Sequence, residues 1–186
     1  TIAAAAALLA AGAAQAEPVK VGMITTLSGG GAGLGIDARD GFMLAVKQAN
    51  NPDLEVVIED DQRKPDVAVQ LADKMIQHEK VDVLTGIIWS NLAMAVVPSA
   101  VAQDKIYMSV NAAPSQLAGR GCNKNYFSVS YQNDNLHEAA GGYAASAGYK
   151  NAFILAPNYP AGKDSLTGFK RYFFGDITDE VYTKLG

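Results

Sequence analysis

Residues 85–100 read TGIIWSNLAMAVVPSA. An apolar run ends in Trp89, gives way at once to Ser90-Asn91, and is followed by a second apolar run. This change of pattern predicts a buried strand whose carboxyl end meets the amino terminus of a helix, with a hydroxyl side chain at the junction. Free backbone N–H groups at a helix start, together with the helix dipole, favour a carboxylate or similar anion, so such a junction can bind one. Serine there also has an ordinary alternative role as a helix N-cap.

Outward from this junction the pattern repeats. Strands are predicted at residues 19–27, 54–61, 81–88, 105–110 and 126–130, and helices at 33–50, 65–79 and 91–103. In the first helix Ile36, Phe42, Leu44, Val46 and Ala49 fall broadly on one side. Residues 111–125, NAAPSQLAGRGCNKN, read as a long loop. After a polar break at 131–135 the alternation resumes, with a helix at 136–147, a strand at 151–157, a helix at 162–174 and a last strand at 177–185. Short apolar strands alternating with amphipathic helices predict an α/β doubly wound parallel sheet with helices on both faces. A crossover falls near 131–136, and the two βα units beyond it cannot cover both faces of a second sheet, so the sequence is read as truncated within a second, similar layer.

In a doubly wound sheet ligands bind beyond the carboxyl ends of the strands. Three loops are expected there together: 28–34 after the first strand, Trp89-Ser90-Asn91 after the third, and Asn111-Ala112-Ala113 after the fourth. N-capping accounts for Ser90 but not for two neighbouring loops so rich in small residues.

At 186 residues and 49% hydrophobic, the chain can build a real core. Its 15 basic and 19 acidic residues are not gathered into large blocks, which argues against nucleic acid or an anionic membrane surface as partner. Residues 1–16, TIAAAAALLAAGAAQA, carry no charge and end in a small-x-small pattern at which a secretory signal is cut. The alternative is a membrane anchor, but the apolar stretch is shorter than the roughly 20 residues a spanning helix needs. An exported mature chain beginning at Glu17, in an oxidising compartment, is expected, with no stable membrane insertion. In that compartment the single Cys122 is either an odd thiol, free or missing a partner, or a buried inert one.

Enzymatic chemistry finds little support. His78 and His137 both fall in predicted helices, where a lone histidine is usually solvated surface. The carboxylates Glu59-Asp60-Asp61, beside Arg63 and Lys64, read as a solvated turn with local charge pairing. The run SGGGAGLGIDA contains Gly33-x-Gly35-x-x-Ala38, a loose dinucleotide fingerprint, with Asp60 or Asp61 near the place of a ribose-binding acid. A secreted dinucleotide-dependent oxidoreductase is therefore an alternative, against which stand the length of the glycine turn and the scarcity of nicotinamide cofactors outside the cell. No enzyme activity, no cofactor and no metal are expected.

Taken in order, VKVGMITTLSGGGAGLG, EDDQRKPDVAVQLADKMI, VLTGIIWS, YMSVNAAPSQLAG and LAPNYPAGKDSLTGFKRYF resemble the periplasmic solute-binding proteins of ABC importers, more narrowly the leucine/isoleucine/valine-binding family of class I. The resemblance covers essentially all of residues 17–186. It implies two α/β lobes that close on a ligand in the cleft between them, with 17–130 as the first lobe and 131–186 as crossover and incomplete second lobe. By position, Ser90 matches the family's carboxylate-binding serine, and Ala112 the residue whose carbonyl receives an α-ammonium. Ala113 stands where amino-acid binders usually carry threonine. Leu34 stands at an aromatic wall position, and Tyr159 or Ala161 near the second lobe's aromatic contact. Ser28, Trp89, Asn91 and Asn111 complete the candidate site through the three loops.

With alanine in place of that threonine, the missing hydroxyl should weaken ammonium recognition by roughly 1.5–3 kcal/mol unless another group replaces it. The expected ligand is therefore a small carboxylate-bearing molecule, an aromatic or other organic acid being favoured over a branched-chain amino acid. Membrane permease subunits of an ABC importer are the implied partners. A periplasmic ligand-sensing domain with the same lobes is the rival within binding proteins.

Overall fold

The computed structural model describes residues 17–186; the expected signal segment lies outside them. Five parallel strands form one sheet in the order β2-β1-β3-β4-β5: β1 (Val19–Thr25), β2 (Leu54–Asp60), β3 (Val83–Thr85), β4 (Ile106–Ser109) and β5 (Tyr126–Ser128). The connections are α1 (Ala32–Ala49), α2 (Pro65–Lys74, continued by a π-helical turn Met75–Glu79), α3 (Ser90–Ala102) and the short α4 (Ser115–Ala118). Beyond them come α5 (Asn135–Ser146), β6 (Asn151–Pro157), α6 (Pro160–Tyr172) and β7 (Asp176–Thr183). β6 and β7 pair in parallel as a separate two-stranded sheet. The α/β doubly wound architecture is as expected.

Because successive side chains alternate faces, Leu84 and Tyr107 point into a core built with Ala68, Ala72 and Met75 of the second helical segment and Leu92, Val96 and Val97 of α3. α3 is apolar on most sides, as a helix packed between sheet and neighbouring helices must be. Val83, Thr85 and Met108 point the other way, where with Val21 and Phe42 they line an apolar trough. α1 covers only part of this face, so Met108 and Val129 stay exposed. Among the described residues no helix is long and apolar enough to cross a membrane.

Several boundaries differ from expectation. β3 ends at Thr85, not at residue 88, because Gly86 adopts φ 104° against β1, where a Cβ would come within 2.7 Å of the Ile24 carbonyl oxygen. α3 starts one residue early, at Ser90. The expected loop 111–125 contains α4, started by Pro114 in extended conformation. Leu44 and Ala49 are exposed, while Ile36, Phe42 and Val46 are half-buried; Leu44 lies about 200° round the helix from Phe42 and so cannot share its face.

α5 and α6 cross closely at two glycines. A Cβ on Gly141 would overlap the Phe169 carbonyl, and one on Gly168 would lie 2.5 Å from the Asp134 carbonyl oxygen. The crossing is clamped by Arg171, whose guanidinium donates to buried Asp134 at 3.0 Å and to Glu138. In β6, Ile154 and Ala156 are buried on α6 while Phe153 and Leu155 are exposed.

Candidate functional site

All five strands of the larger sheet run the same way, so the loops after β1, β3 and β4 open on one edge. At that edge a cavity of about 260 Å³ is lined by Ser90, Asn111 and Ala112 from the sheet side and by Tyr159 and Ala161 from the β6-α6 junction. Five of the ten candidate residues are thus brought together. Ser28, Leu34, Trp89, Asn91 and Ala113 do not line it: Leu34 is exposed, Ala113 is buried behind the wall, and Ser28 hydrogen-bonds the Asp60 carboxylate.

Ser90 is buried at the first residue of α3. Trp89 occupies the cap position, and no side chain caps the helix there. The Ser90 hydroxyl instead accepts a hydrogen bond from Asn133 Nδ2 at 3.0 Å. The same amide donates to Asp164 Oδ2 at 3.0 Å, and that oxygen also accepts the Ser115 N–H at 3.0 Å. Asn111 Nδ2 donates to the Ile88 carbonyl at 3.0 Å, stitching the β4 loop to the β3 loop.

The Ala112 carbonyl, which the resemblance gives to an α-ammonium, accepts from the Ser109 hydroxyl and, at 3.4 Å, from the Tyr126 hydroxyl. A carbonyl oxygen has two lone pairs, so both have partners. The Ala113 carbonyl accepts the Asn133 N–H at 3.0 Å.

Beside the cavity, the acidic cluster is not the solvated turn expected. Asp61 is fully buried. Its Oδ1 accepts from the Thr26 hydroxyl at 2.6 Å and from the Arg63 N–H at 2.8 Å, and Thr26 Oγ1 in turn accepts from Trp89 Nε1 at 3.0 Å. Burial pushes the Asp61 carboxyl above its ordinary range despite these bonds. Burial acts the same way on Asp60, but hydrogen bonds from the Ser28 side chain and the N–H groups of Leu27, Gln62 and Ser28 hold it below. Burial raises the Tyr159 hydroxyl, and the positive charge of Arg63 opposes that rise.

The glycine run serves packing. Gly31, at φ 88°, lies against the Trp89 ring, and a Cβ there would overlap the indole. Gly35 is buried in α1 against the Thr26 carbonyl. Gly33 and Gly35 both lie inside α1, not in a phosphate-cradling turn. Among the described residues no cluster of side chains could hold a metal ion.

Asn133, Gln132 and His137 line the cavity and were not among the candidates. The polar break at 131–135 gave no sign that it folds back on Ser90, and His137 is half-buried, not solvated, whereas His78 is exposed as expected. Cys122 is a free, exposed thiol, which removes the buried alternative.

A parallel sheet whose carboxyl edge opens on a cavity closed by a second α/β unit defines a ligand-binding α/β protein. The chain belongs to the periplasmic binding protein family, whose model matches residues 18–186. Similar solved structures include two ABC-transporter solute-binding proteins of Rhodopseudomonas palustris. One, in complex with benzoate, is 30% identical with a TM-score of 0.84 over 90% of this chain and 49% of that chain. The other, in complex with 3,4-dihydroxybenzoic acid, is 27% identical with a TM-score of 0.83 over 90% and 47%. An isoleucine-bound branched-chain amino acid transporter substrate-binding protein from Streptococcus pneumoniae shares the fold at 21% identity, with a TM-score of 0.81 over 91% of this chain and 51% of that one. The chain spans about half the length of these proteins. No curated protein matches it.

Proposed function

We propose that the protein is the periplasmic solute-binding component of an ABC importer and captures a small aromatic or other organic acid through its carboxylate. Residues 17–130 act as the first lobe, 131–186 as the crossover and the opening of the second, and the ligand is handed to membrane permease subunits. No covalent step is involved.

The observation that carries the ligand class is the state of the Ala112 carbonyl. With both lone pairs engaged by Ser109 and Tyr126, the carbonyl that would receive an α-ammonium is already occupied, and Ala113 adds no hydroxyl beside it. The carboxylate side is intact: Ser90 offers its hydroxyl beside the free N–H groups that begin α3. Asp164, whose Oδ2 accepts from Asn133 and Ser115, is not among the residues that line the cavity. The benzoate complexes of the R. palustris relatives support the same class.

The test is titration calorimetry with benzoate, benzamide, leucine and isoleucine, paired with thermal melts. Benzoate binds, benzamide does not, and the amino acids bind at least tenfold more weakly. Ser90→Ala lowers benzoate affinity by about 10- to 100-fold, the loss of one hydrogen bond to a charged group. A preference for leucine over benzoate overturns the ligand class.

A further inference from the structure

Two consecutive non-glycine residues, Gln62 and Arg63, hold left-handed backbone at φ 52° and 60° directly after β2. Such conformations persist where the surroundings enforce them, and they gather at functional sites. Here Asp60 Oδ1 accepts the Gln62 N–H and Asp61 Oδ1 the Arg63 N–H, each at 2.8 Å. The turn aims the Arg63 guanidinium over the Trp89 ring, 4.2 Å from its centroid. The ring itself is fixed by its bond to Thr26, which is bonded to the same Asp61, and by Gly31 packed against the indole. One buried carboxylate therefore positions both partners of the stack.

Stacking uses the face of a guanidinium and leaves its in-plane N–H donors free. Among the described residues no carboxylate lies within ion-pairing distance of Arg63, in contrast to the seven ion pairs formed elsewhere. Its charge is felt at the hydroxyl of Tyr159, a residue of the cavity wall, and its stacking partner Trp89 precedes Ser90. A permanent cation without a carboxylate partner among the described residues is thus held just past the carboxyl end of β2, on the ring that precedes Ser90.

We infer that Arg63 determines specificity by receiving a second carboxylate of the ligand, so that aromatic dicarboxylates are preferred over monoacids. This rests on the carboxylate reading of Ser90. The Trp89 face supports the guanidinium, and its planar fork matches a carboxylate in two-pronged fashion.

The test is calorimetry with benzoate, phthalate, isophthalate and terephthalate on the wild type, Arg63→Gln, Arg63→Lys and Ser90→Ala, with melts confirming that each is folded. At least one dicarboxylate should bind the wild type tenfold or more tighter than benzoate. Arg63→Gln should erase that advantage while changing benzoate affinity less than threefold, and Arg63→Lys, keeping charge without the fork, should retain part of it. If benzoate binds through Ser90 but no dicarboxylate outbinds it, or if Arg63→Gln weakens both alike, the inference is overturned and the carboxylate reading stands. If no probe binds the wild type, or Ser90→Ala binds as the wild type does, the carboxylate reading falls and this inference with it.

Discussion

Asn133 donates from one amide nitrogen to Ser90 Oγ and to Asp164 Oδ2, each at 3.0 Å. A residue from the polar segment before α5 thereby ties the start of α3 to α6. Since Asp164 also accepts the first N–H of α4, the starts of α3 and α4 are tied to α6 through one amide and one carboxylate.

Replacing that amide should separate positioning from charge. Asn133→Ala removes the donor and should lower benzoate affinity by a fewfold through a less ordered Ser90. Asn133→Asp adds a negative charge beside Asp164 and the anion site, and should lower affinity at least tenfold and stability by about 1–3 kcal/mol. Equal affinities for the two variants in calorimetry would show that charge at this position does not reach the ligand.

Gly35→Ala places a Cβ into the Thr26 carbonyl, a backbone atom that cannot swing aside. Urea denaturation should show a loss of about 1–3 kcal/mol, the usual effect of forcing a methyl group into packed structure. Gly33→Ala, at a position with open space around it, should be neutral or slightly stabilising because alanine favours helix. Similar behaviour of the two variants would contradict this account of the glycine run.

Asp61 makes stability depend on pH in a defined direction. Burial raises its folded pKa above the unfolded value of about 3.9, so the native chain holds the proton more tightly than the unfolded one. Its contribution is fully present below that unfolded value, declines as pH rises towards the raised folded pKa, and is constant beyond it. Asp61→Asn does not titrate. Urea melts from pH 4 to pH 7 should therefore show the variant gaining relative to the wild type as pH rises, and parallel curves would show that Asp61 titrates alike in both states.

Arg171→Met leaves the buried Asp134 carboxylate without its guanidinium while keeping an unbranched aliphatic stem. Since the Arg171 side chain is 46% exposed, solvent screens the pair, and urea denaturation should show a measurable but moderate loss of stability. No loss would mean that Gln132, which also donates to Asp134, suffices alone.

The strand-helix alternation was legible because period two and period 3.6 leave different marks on a sequence. Residues 151–157 were placed to the residue, since a compact apolar run stands there between a lysine and an asparagine. α4 was hidden because four residues after a proline, among small side chains, carry no helical period. Ser90, Asn111 and Ala112 could be brought together from topology alone, because parallel strands deliver their following loops to one edge, whereas Tyr159 and Ala161, which follow a strand of the other sheet, came from the family resemblance. The burial of Asp61 could not be read, since three adjacent acids look solvated until Thr26 is known to face them. Nor could Asn133, whose role depends on a hydrogen bond to a residue 43 positions away.

The single cysteine of the chain is exposed, just beyond α4, on the segment that begins with Ala112 of the cavity wall. The chain thus carries a natural attachment point. One maleimide fluorophore would modify one place without any engineered thiol, and its emission would turn movement of this segment into an optical record of occupancy.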